Sequence, residues 1–468
     1  MPRQTRDVWL VALGFLALHL VAAALIALIA DESYYTLWTS GLDWDYYDHP
    51  PMIAVFISGG IDLIGLSPLG VRLISLLAMA GATVLTADMA RHLGGNPQVQ
   101  RRAALYFNLS VVVLTVGGFA TPDAPSTVFW TLSCWAAMRA ASGHATRWWL
   151  LAGFAAGLGV MSKFTNLFLG LGYVGWLAFT AQGRRSLRSP APYLGILAAL
   201  VPVVPLILWN ISHHGLGFER QFGRIAESGF SPIQTLGYLA LLIVLPTPVI
   251  AYLAARQATT RNPGPAKAML LWTLAPLLAY FLIHSLHSAI PGNWLIPVSA
   301  AVAVLAAQGA ERASLTMRRL AIGIAAVMSI GSAALLFNPW LPVGLADNPP
   351  NQTRGWPQFL AQIPPDGWIA TVDYALTGQL WTSFPGRSVW SVAELERYGF
   401  RGPFPRDLCN ATGWLVEEAH VDPARAEDYF DHVGPVIPLS RVFAGETLKT
   451  YHLRAVSGVK VTALCPAN

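Results

Sequence analysis

The chain has 468 residues, of which 54% are hydrophobic and only 12% charged, and its mean hydropathy is +0.48. That balance excludes an ordinary soluble globular chain of this length. The net charge of +5 and pI near 9.1 come from arginines gathered in short loops, a membrane-topology signal and not a nucleic-acid groove.

An uncharged apolar run from Val8 to Ala30 opens the chain and is long enough to cross a bilayer as a helix. It is too long for a signal-peptide core and lacks a small-residue cleavage site before Asp31, so an uncleaved anchor is expected. It leads directly into Asp31-Glu32-Ser33-Tyr34-Tyr35, followed by Asp45-Tyr46-Tyr47-Asp48-His49-Pro50-Pro51. Carboxylates where a chain leaves the hydrocarbon are costly unless they are used. The stretch from Pro50 to Leu66 contains Asp62, falls short of a span and reads as an interfacial helix.

Membrane helices are then predicted at Leu69 to Ala90, Ala103 to Ala120 and Pro125 to Ala141. Trp148 to Thr180 is hard to fit as two full spans of roughly 20 residues each, so one or both helices there are expected to be short or re-entrant. Further runs at Tyr193 to Trp209, Ile233 to Ala255, Ala268 to Phe281, Ala289 to Ala307 and Leu320 to Phe337 bring the expectation to about eleven spans. Arg3 and Arg6 precede the first span. With that end cytoplasmic, Arg91, Arg101, Arg102, Arg139, Arg147, Arg184, Arg185, Arg256, Arg312 and Arg318 fall on the same side. The opposite side carries Asp31, Glu32, Asp48 and Asp123, and its basic residues before the last span are Lys163, Arg220 and Arg224.

After Asn338-Pro339-Trp340 the apolar runs stop. Strand-like Trp368 to Val372 and Trp414 to Val416 alternate with helix-like Ala375 to Thr382 and Pro423 to Tyr429. The expected organisation is a helical membrane domain over 1–340 and a small extracytoplasmic α/β domain over 341–468. There Cys409 and Cys465 could pair, although spacing alone cannot test it, while Cys134 reads as a buried small hydrophobe. No zinc-ligand spacing, phosphate-cradling glycine loop, Gly-x-Ser-x-Gly elbow or internal repeat appears, which removes the usual sequence support for ATP-driven transport and serine hydrolysis.

Each polar group on the outer side has a plain structural reading. Asp31 and Glu32 suit a helix N-terminus, Asp123 in Thr121-Pro122-Asp123 suits a helix cap, and Lys163 could snorkel. Together they suit chemistry at a membrane surface. A carboxylate at Asp31 could take a proton from an acceptor hydroxyl. Two adjacent carboxylates seldom point the same way, so either Asp31 or Glu32 would be catalytic and the other would hold the loop or a metal. Pro50 and Pro51 fix the exit direction of Asp48, which would orient a partner or bind a cation, and of His49, which would donate to an anionic group. Lys163 breaks an apolar stretch where positive charge is scarce and reads as an anion site. Arg220 and Arg224, four residues apart, could hold one phosphate between them.

At these residues the chain resembles the bacterial dolichyl-phosphate-mannose protein mannosyltransferase and aminoarabinose transferase group. The resemblance rests on Asp31-Glu32-x-Tyr-Tyr, Tyr46-Tyr47-Asp48-His49-Pro50-Pro51, Thr121-Pro122-Asp123, Ser162-Lys163-Phe164 and Asn293-Trp294. It implies a GT-C fold, an α-helical polytopic bundle whose first outer loop carries the active site, and a polyprenyl-phosphate-linked sugar as co-substrate. Asp31 matches the family's catalytic carboxylate. Asp48-His49 stands where the aminoarabinose transferases have a Glu-Lys pair, and the arginine common beside Ser33-Tyr34 is absent, so aminoarabinose is not implied as the sugar.

The expected activity is inverting transfer of one sugar from a polyprenyl phosphate to an envelope acceptor, lipid A or lipopolysaccharide core before protein hydroxyls. Departure of the phosphate leaves oxocarbenium character on the sugar and negative charge on the leaving group. Asp31, with Asp123 or Glu32, would serve the first, and Lys163, with His49, Arg220 or Arg224, the second. Tyr34, Tyr35, Asp48, Asn293 and Trp294 would position substrate. No tightly bound cofactor is expected; a divalent cation at Asp48 and His49 is an open alternative. The expected partners are a lipid-linked donor, a lipid or glycan acceptor and the inner membrane, with no nucleic acid. A flippase or transporter using the same polar groups is the reading from a different class.

Overall fold

The computed structural model describes residues 3–143, 145–223, 230–337, 349–420 and 425–466. Up to the first outer loop the helices are α1 (Arg3–Leu25), α2 (Ala30–Leu37), α3 (Met52–Ile64) and α4 (Pro68–His92). The bundle continues with α5 (Pro97–Asn108), α6 (Val111–Val116), α7 (Asp123–Gly143), α8 (Thr146–Val160), α9 (Leu167–Phe179), α10 (Ala181–Ser186), α11 (Ala191–Ser212) and α12 (Leu216–Gly223). It ends with α13 (Pro232–Val244), α14 (Pro248–Ala258), α15 (Pro265–His284), α16 (Ser299–Gly309) and α17 (Leu315–Phe337).

Every apolar run read as a membrane segment contains helix, but Ala103 to Ala120, expected as one span, is broken at Leu109-Ser110 into α5 and the six-residue α6. Among the described residues six helical stretches are long and apolar enough to cross a membrane by themselves, or up to seven if the bent pair α13 and α14 is one span. The run expected as one straight helix, Ile233 to Ala255, bends by 92° between α13 and α14. Pro246 and Pro248 withhold two amide donors from the helical ladder, and Thr247 between them sits at φ 75°. In the Trp148 to Thr180 segment both helices are short, of 15 and 13 residues, separated by a 3-10 turn at Phe164–Asn166. Pro50 to Leu66 forms the 13-residue α3.

The described chain divides into two compact units. The first comprises Met1–Ala24, Trp44–Phe56 and Arg72–Ala334; the second comprises Leu25–Asp43, Ile57–Val71 and Leu335–Asn468. In the first, α8 packs on α7 and α11. Glycines permit this closeness: a Cβ on Gly153 would lie 1.8 Å from the Gly195 carbonyl oxygen, and one on Gly157 would lie 2.3 Å from that of Ala199. Small residues one turn apart let helix backbones touch where lipid supplies no hydrophobic drive for association. This contact fixes the end of α8, where Ser162 and Lys163 follow.

The second unit takes in the early part of the first outer loop, with α2, as well as the C-terminal segment. The expected boundary at 340/341 falls among residues 338–348, outside the described residues. Its C-terminal part contains α18 (Pro349–Gln352), α19 (Trp356–Leu360), α20 (Tyr374–Ser383) and α21 (Ala426–Tyr429). Its strands are β1 (Trp368–Thr371), β2 (Val389–Ser391), β3 (Gly413–Glu418), β4 (Phe430–Val433), β5 (Ile437–Phe443) and β6 (Glu446–Val459). They form one mixed sheet in the order β2-β1-β3-β6-β4, with β5 also paired to β6. β1 is parallel to β2 and β3, while β6 is antiparallel to β3, β4 and β5. Of the expected Pro423 to Tyr429 helix only the turn at α21 is described, since residues 421–424 lie outside the described residues. Cys409 and Cys465 form a disulfide with Cα atoms 5.8 Å apart. Cys134 is a buried free thiol, as read.

Asp373 follows β1 and caps α20, accepting from the Leu376 amide at 2.8 Å. Although the residue as a whole is only partly buried, its Oδ2 is out of solvent and has no hydrogen-bond partner. Burial pushes the carboxyl up to about 6; the Leu376 amide opposes the shift and Glu418 adds to it. An acid that holds its proton longer when folded contributes its full stability below about pH 3.8 and loses it as the pH rises through about 6. Asp373→Asn keeps a good cap and removes the charge. Thermal unfolding of the purified protein between pH 4 and 8 should therefore show the variant gaining on the order of 2 kcal/mol over wild type at pH 7.5, and nothing at pH 4. Equal gains at both pH values would remove the titration of Asp373 as the cause.

Candidate active site

The first unit brings three separate chain segments to one polar cluster. Lys163 follows α8 with an extended backbone, its amide bonded to the Gly159 carbonyl at 2.9 Å. Its ammonium donates to Asp123 Oδ1 at 2.7 Å, and both residues are buried, at 7% and 4% exposure. The second oxygen of Asp123 accepts from Asn293 Nδ2 at 2.9 Å and from the Thr121 hydroxyl at 3.4 Å. Asp123 begins α7, where the helix dipole favours a carboxylate. The pair thus has the additional hydrogen bonds that a buried ion pair needs.

The Asp48-His49-Pro50-Pro51 loop is tied to the same turn through the Met52 amide, which donates to the Met161 carbonyl at 3.0 Å. Asp48 Oδ1 is 3.5 Å from Arg220 Nε, and the Arg220 guanidinium lies over the Tyr47 ring at 5.0 Å. Gln221 donates to the Asp48 carbonyl. His49 is half-buried in this loop. Beside it Asp45, 1% exposed, accepts from Asn210 Nδ2 at 2.6 Å, and Asn210 Oδ1 accepts from the Phe218 amide at 3.1 Å. Asn210 therefore fixes both the first outer loop and the segment bearing Arg220.

These contacts join groups that the sequence reading had assigned to opposite charges of the site. Asp123 is the counter-ion of Lys163, and Asp48 is the counter-ion of Arg220. Arg224 lies outside the described residues. Trp294 packs at a tilt against Phe281 and His284, at ring distances of 5.7 and 6.0 Å.

In the second unit, Asp31 and Glu32 diverge as adjacent residues on α2. Asp31 is exposed; Glu32 is fully buried, and its Oε2 accepts from the Ile29 amide at 3.1 Å. Glu32, one of the residues read as a catalytic candidate, thus holds the helix start, half of a capping box. Tyr34 and Tyr35 are buried and make edge contacts with Trp38 at 5.3 and 4.9 Å. Asn166, Asn210, Gln221 and Gln379 were not singled out in the sequence. The one available signal was position, since Asn210 and Asn166 flank long apolar helices. Among the described residues no group of three or more His, Cys, Asp or Glu is arranged to hold a metal ion.

Comparison with known proteins agrees with this picture. Residues 48–209 match the family model described as dolichyl-phosphate-mannose-protein mannosyltransferase. The lipid A galacturonosyltransferase RgtD of Rhizobium johnstonii is 25% identical over 307 residues, 64% of this chain and 64% of that protein. The undecaprenyl phosphate-alpha-4-amino-4-deoxy-L-arabinose arabinosyl transferase of Pseudomonas aeruginosa is 27% identical over 382 residues, 74% of this chain and 64% of that protein. The chain thus spans just under two thirds of each relative's length. The crystal structure of ArnT from Cupriavidus metallidurans bound to undecaprenyl phosphate superposes with a TM-score of 0.63 at 16% identity, covering 98% of this chain and 99% of that one. The chain is thus similar in sequence to the dolichyl-phosphate-mannose-protein mannosyltransferase family over residues 48–209, and it shares the fold of ArnT over nearly its whole length.

Proposed function

We propose that this protein is an inverting glycosyltransferase that moves one sugar from a polyprenyl-phosphate carrier to an extracytoplasmic acceptor of the lipid A or lipopolysaccharide-core class. The observation that carries the reading is the buried Lys163 and Asp123 pair inside the family-matched segment, to which Asn293 from beyond that segment is bonded. A lipid A galacturonosyltransferase and a transferase using undecaprenyl phosphate aminoarabinose are among its relatives, which supports both the carrier and the acceptor class.

In this reading the exposed Asp31 accepts the proton of the acceptor hydroxyl as its oxygen bonds to the anomeric carbon. The bond from that carbon to the phosphate oxygen breaks at the same time, and polyprenyl phosphate leaves with the electron pair. Lys163, held in place by Asp123, and Arg220, held by Asp48, stabilise the negative charge on the leaving phosphate. His49 stands by as a donor whose charge varies near neutral pH. The reaction would lie on the outer face of the inner membrane, with residues 341–468 in the periplasm.

The test is incubation of purified protein with undecaprenyl-phosphate sugars and lipid A. Acceptor-dependent release of undecaprenyl phosphate is expected from wild type, with a loss of 10²-fold or more, an order-of-magnitude figure, in Asp31→Asn. Absence of release with every donor and acceptor, or full activity in Asp31→Asn, would overturn the assignment. Transfer to protein hydroxyls alone would keep the reaction class and replace the acceptor.

A further inference from the structure

The first unit contains a polar cavity far along the bundle from Lys163 and Asp123. It has a volume of about 290 Å³ and is lined by His92, Ser142, Gln257, Lys267 and Gln308, together with the Gly264-Pro265-Ala266 start of α15. The 20 residues of α15 extend about 30 Å from this cavity, and Asn293 follows beyond their far end. The cavity therefore opens at the side of the bundle where the arginine-rich loops lie.

Lys267 is its distinctive group. The residue is only 8% exposed, and its ammonium donates to the Gln257 carbonyl at 2.5 Å and to the Thr260 hydroxyl. An ammonium has three N–H donors, so one is left for the cavity. Among the described residues Lys267 forms no ion pair with a carboxylate, and the charge that acts on it is another cation, Arg312. The acids of the neighbouring elements are engaged elsewhere: Asp88 pairs with Arg91 and Arg139, and Glu311 accepts from Asn96. His92 Nε2 is shared between the Met138 carbonyl and the Ser142 hydroxyl.

Lys267 also occupies the first turn of α15, where the helix dipole is positive and no acidic residue is present. A buried cation without a counter-ion is unfavourable, and a cation at a helix N-terminus is unfavourable again. An anion in the cavity relieves both. We propose that this cavity binds a phosphate-bearing ligand, namely the headgroup of an anionic lipid in the leaflet faced by the arginine-rich loops. Basic pockets between membrane helices on that side suit phospholipid headgroups, and α15 is itself a candidate span, so its first turn would stand at headgroup depth.

The experiment measures thermal unfolding of the full-length protein in nanodiscs of phosphatidylcholine, with and without phosphatidylglycerol. Phosphatidylglycerol should raise the wild-type unfolding temperature by several degrees; Lys267→Met should abolish the shift and Lys267→Arg should retain it. Arg184→Gln, which removes a charge from another loop of the same side, should leave the shift unchanged and so separates the cavity from general attraction to the surface. His92→Leu keeps the lysine and should reduce the shift, which gives a second reading if Lys267→Met does not accumulate. An equal shift with inorganic phosphate in phosphatidylcholine nanodiscs would support the phosphate site and name free phosphate as its source. Absence of any shift, or a shift kept in Lys267→Met and His92→Leu, would overturn the proposal.

Discussion

Lys163→Met is expected to reduce acceptor-dependent release of undecaprenyl phosphate by about 10²–10³-fold, the range for removing one preorganised donor from a developing anion. It is also expected to destabilise the protein, because Asp123 would remain as a buried carboxylate without its cation. Breaking such a pair costs about 3–5 kcal/mol. The two effects separate in the double variant Lys163→Met, Asp123→Asn. Removing the stranded charge should restore much of the stability, and Asn keeps polar atoms for Asn293 and Thr121. Transfer should stay lost, since no cation remains for the phosphate. Recovery of transfer together with stability would show that the pair only holds the fold, and the cationic role would then have to pass to Arg220.

The bundle was legible because its signal is long and one-dimensional. Most apolar runs became single helices, and the shortfall of residues between Trp148 and Thr180, which implied that one or both helices there are short or re-entrant, matches two short helices. The bend between α13 and α14 was missed although its cause, Pro246 and Pro248 around Thr247, was in plain sight. Hydropathy averaged over a window does not register two lost amide donors. The site was legible as a set of residues and not as a set of partnerships. Asp123 and Lys163 are 40 positions apart, and nothing in either local sequence says that one neutralises the other. The same holds for Asp45 and Asn210, separated by 165 positions. Glu32 illustrates the opposite limit, since its role three residues from Ile29 is local and a capping pattern could have been sought there.

Gly378→Val is expected to lower turnover by about 10²-fold, the size of loss associated with misplacing a catalytic group by about 1 Å. Within the second unit α20 packs directly on α2, whose first turn bears Asp31. A Cβ on Gly378 would lie 2.5 Å from the Tyr34 amide nitrogen and 2.6 Å from both Ser33 C and Tyr34 Cα. These are backbone atoms of a helix and cannot rotate away, so the contact can be relieved only by moving α2 or α20. The surrounding contacts resist that movement: the Ser33 hydroxyl donates to Gln379 Oε1 at 2.9 Å, and the Tyr34 and Tyr374 rings meet edge-on at 4.9 Å. Gly399→Ala places its new methyl in open space and serves as the control, with turnover close to wild type. Displacement of the base alone should lower kcat more than it changes KM for the lipid-linked donor. A Gly378→Val protein that folds and turns over at the wild-type rate, beside an inactive Asp31→Asn, would mean that α2 tolerates the shift and that α20 does not position the base. If both variants remain active, the fault lies with Asp31 itself, and the proton must go to another group.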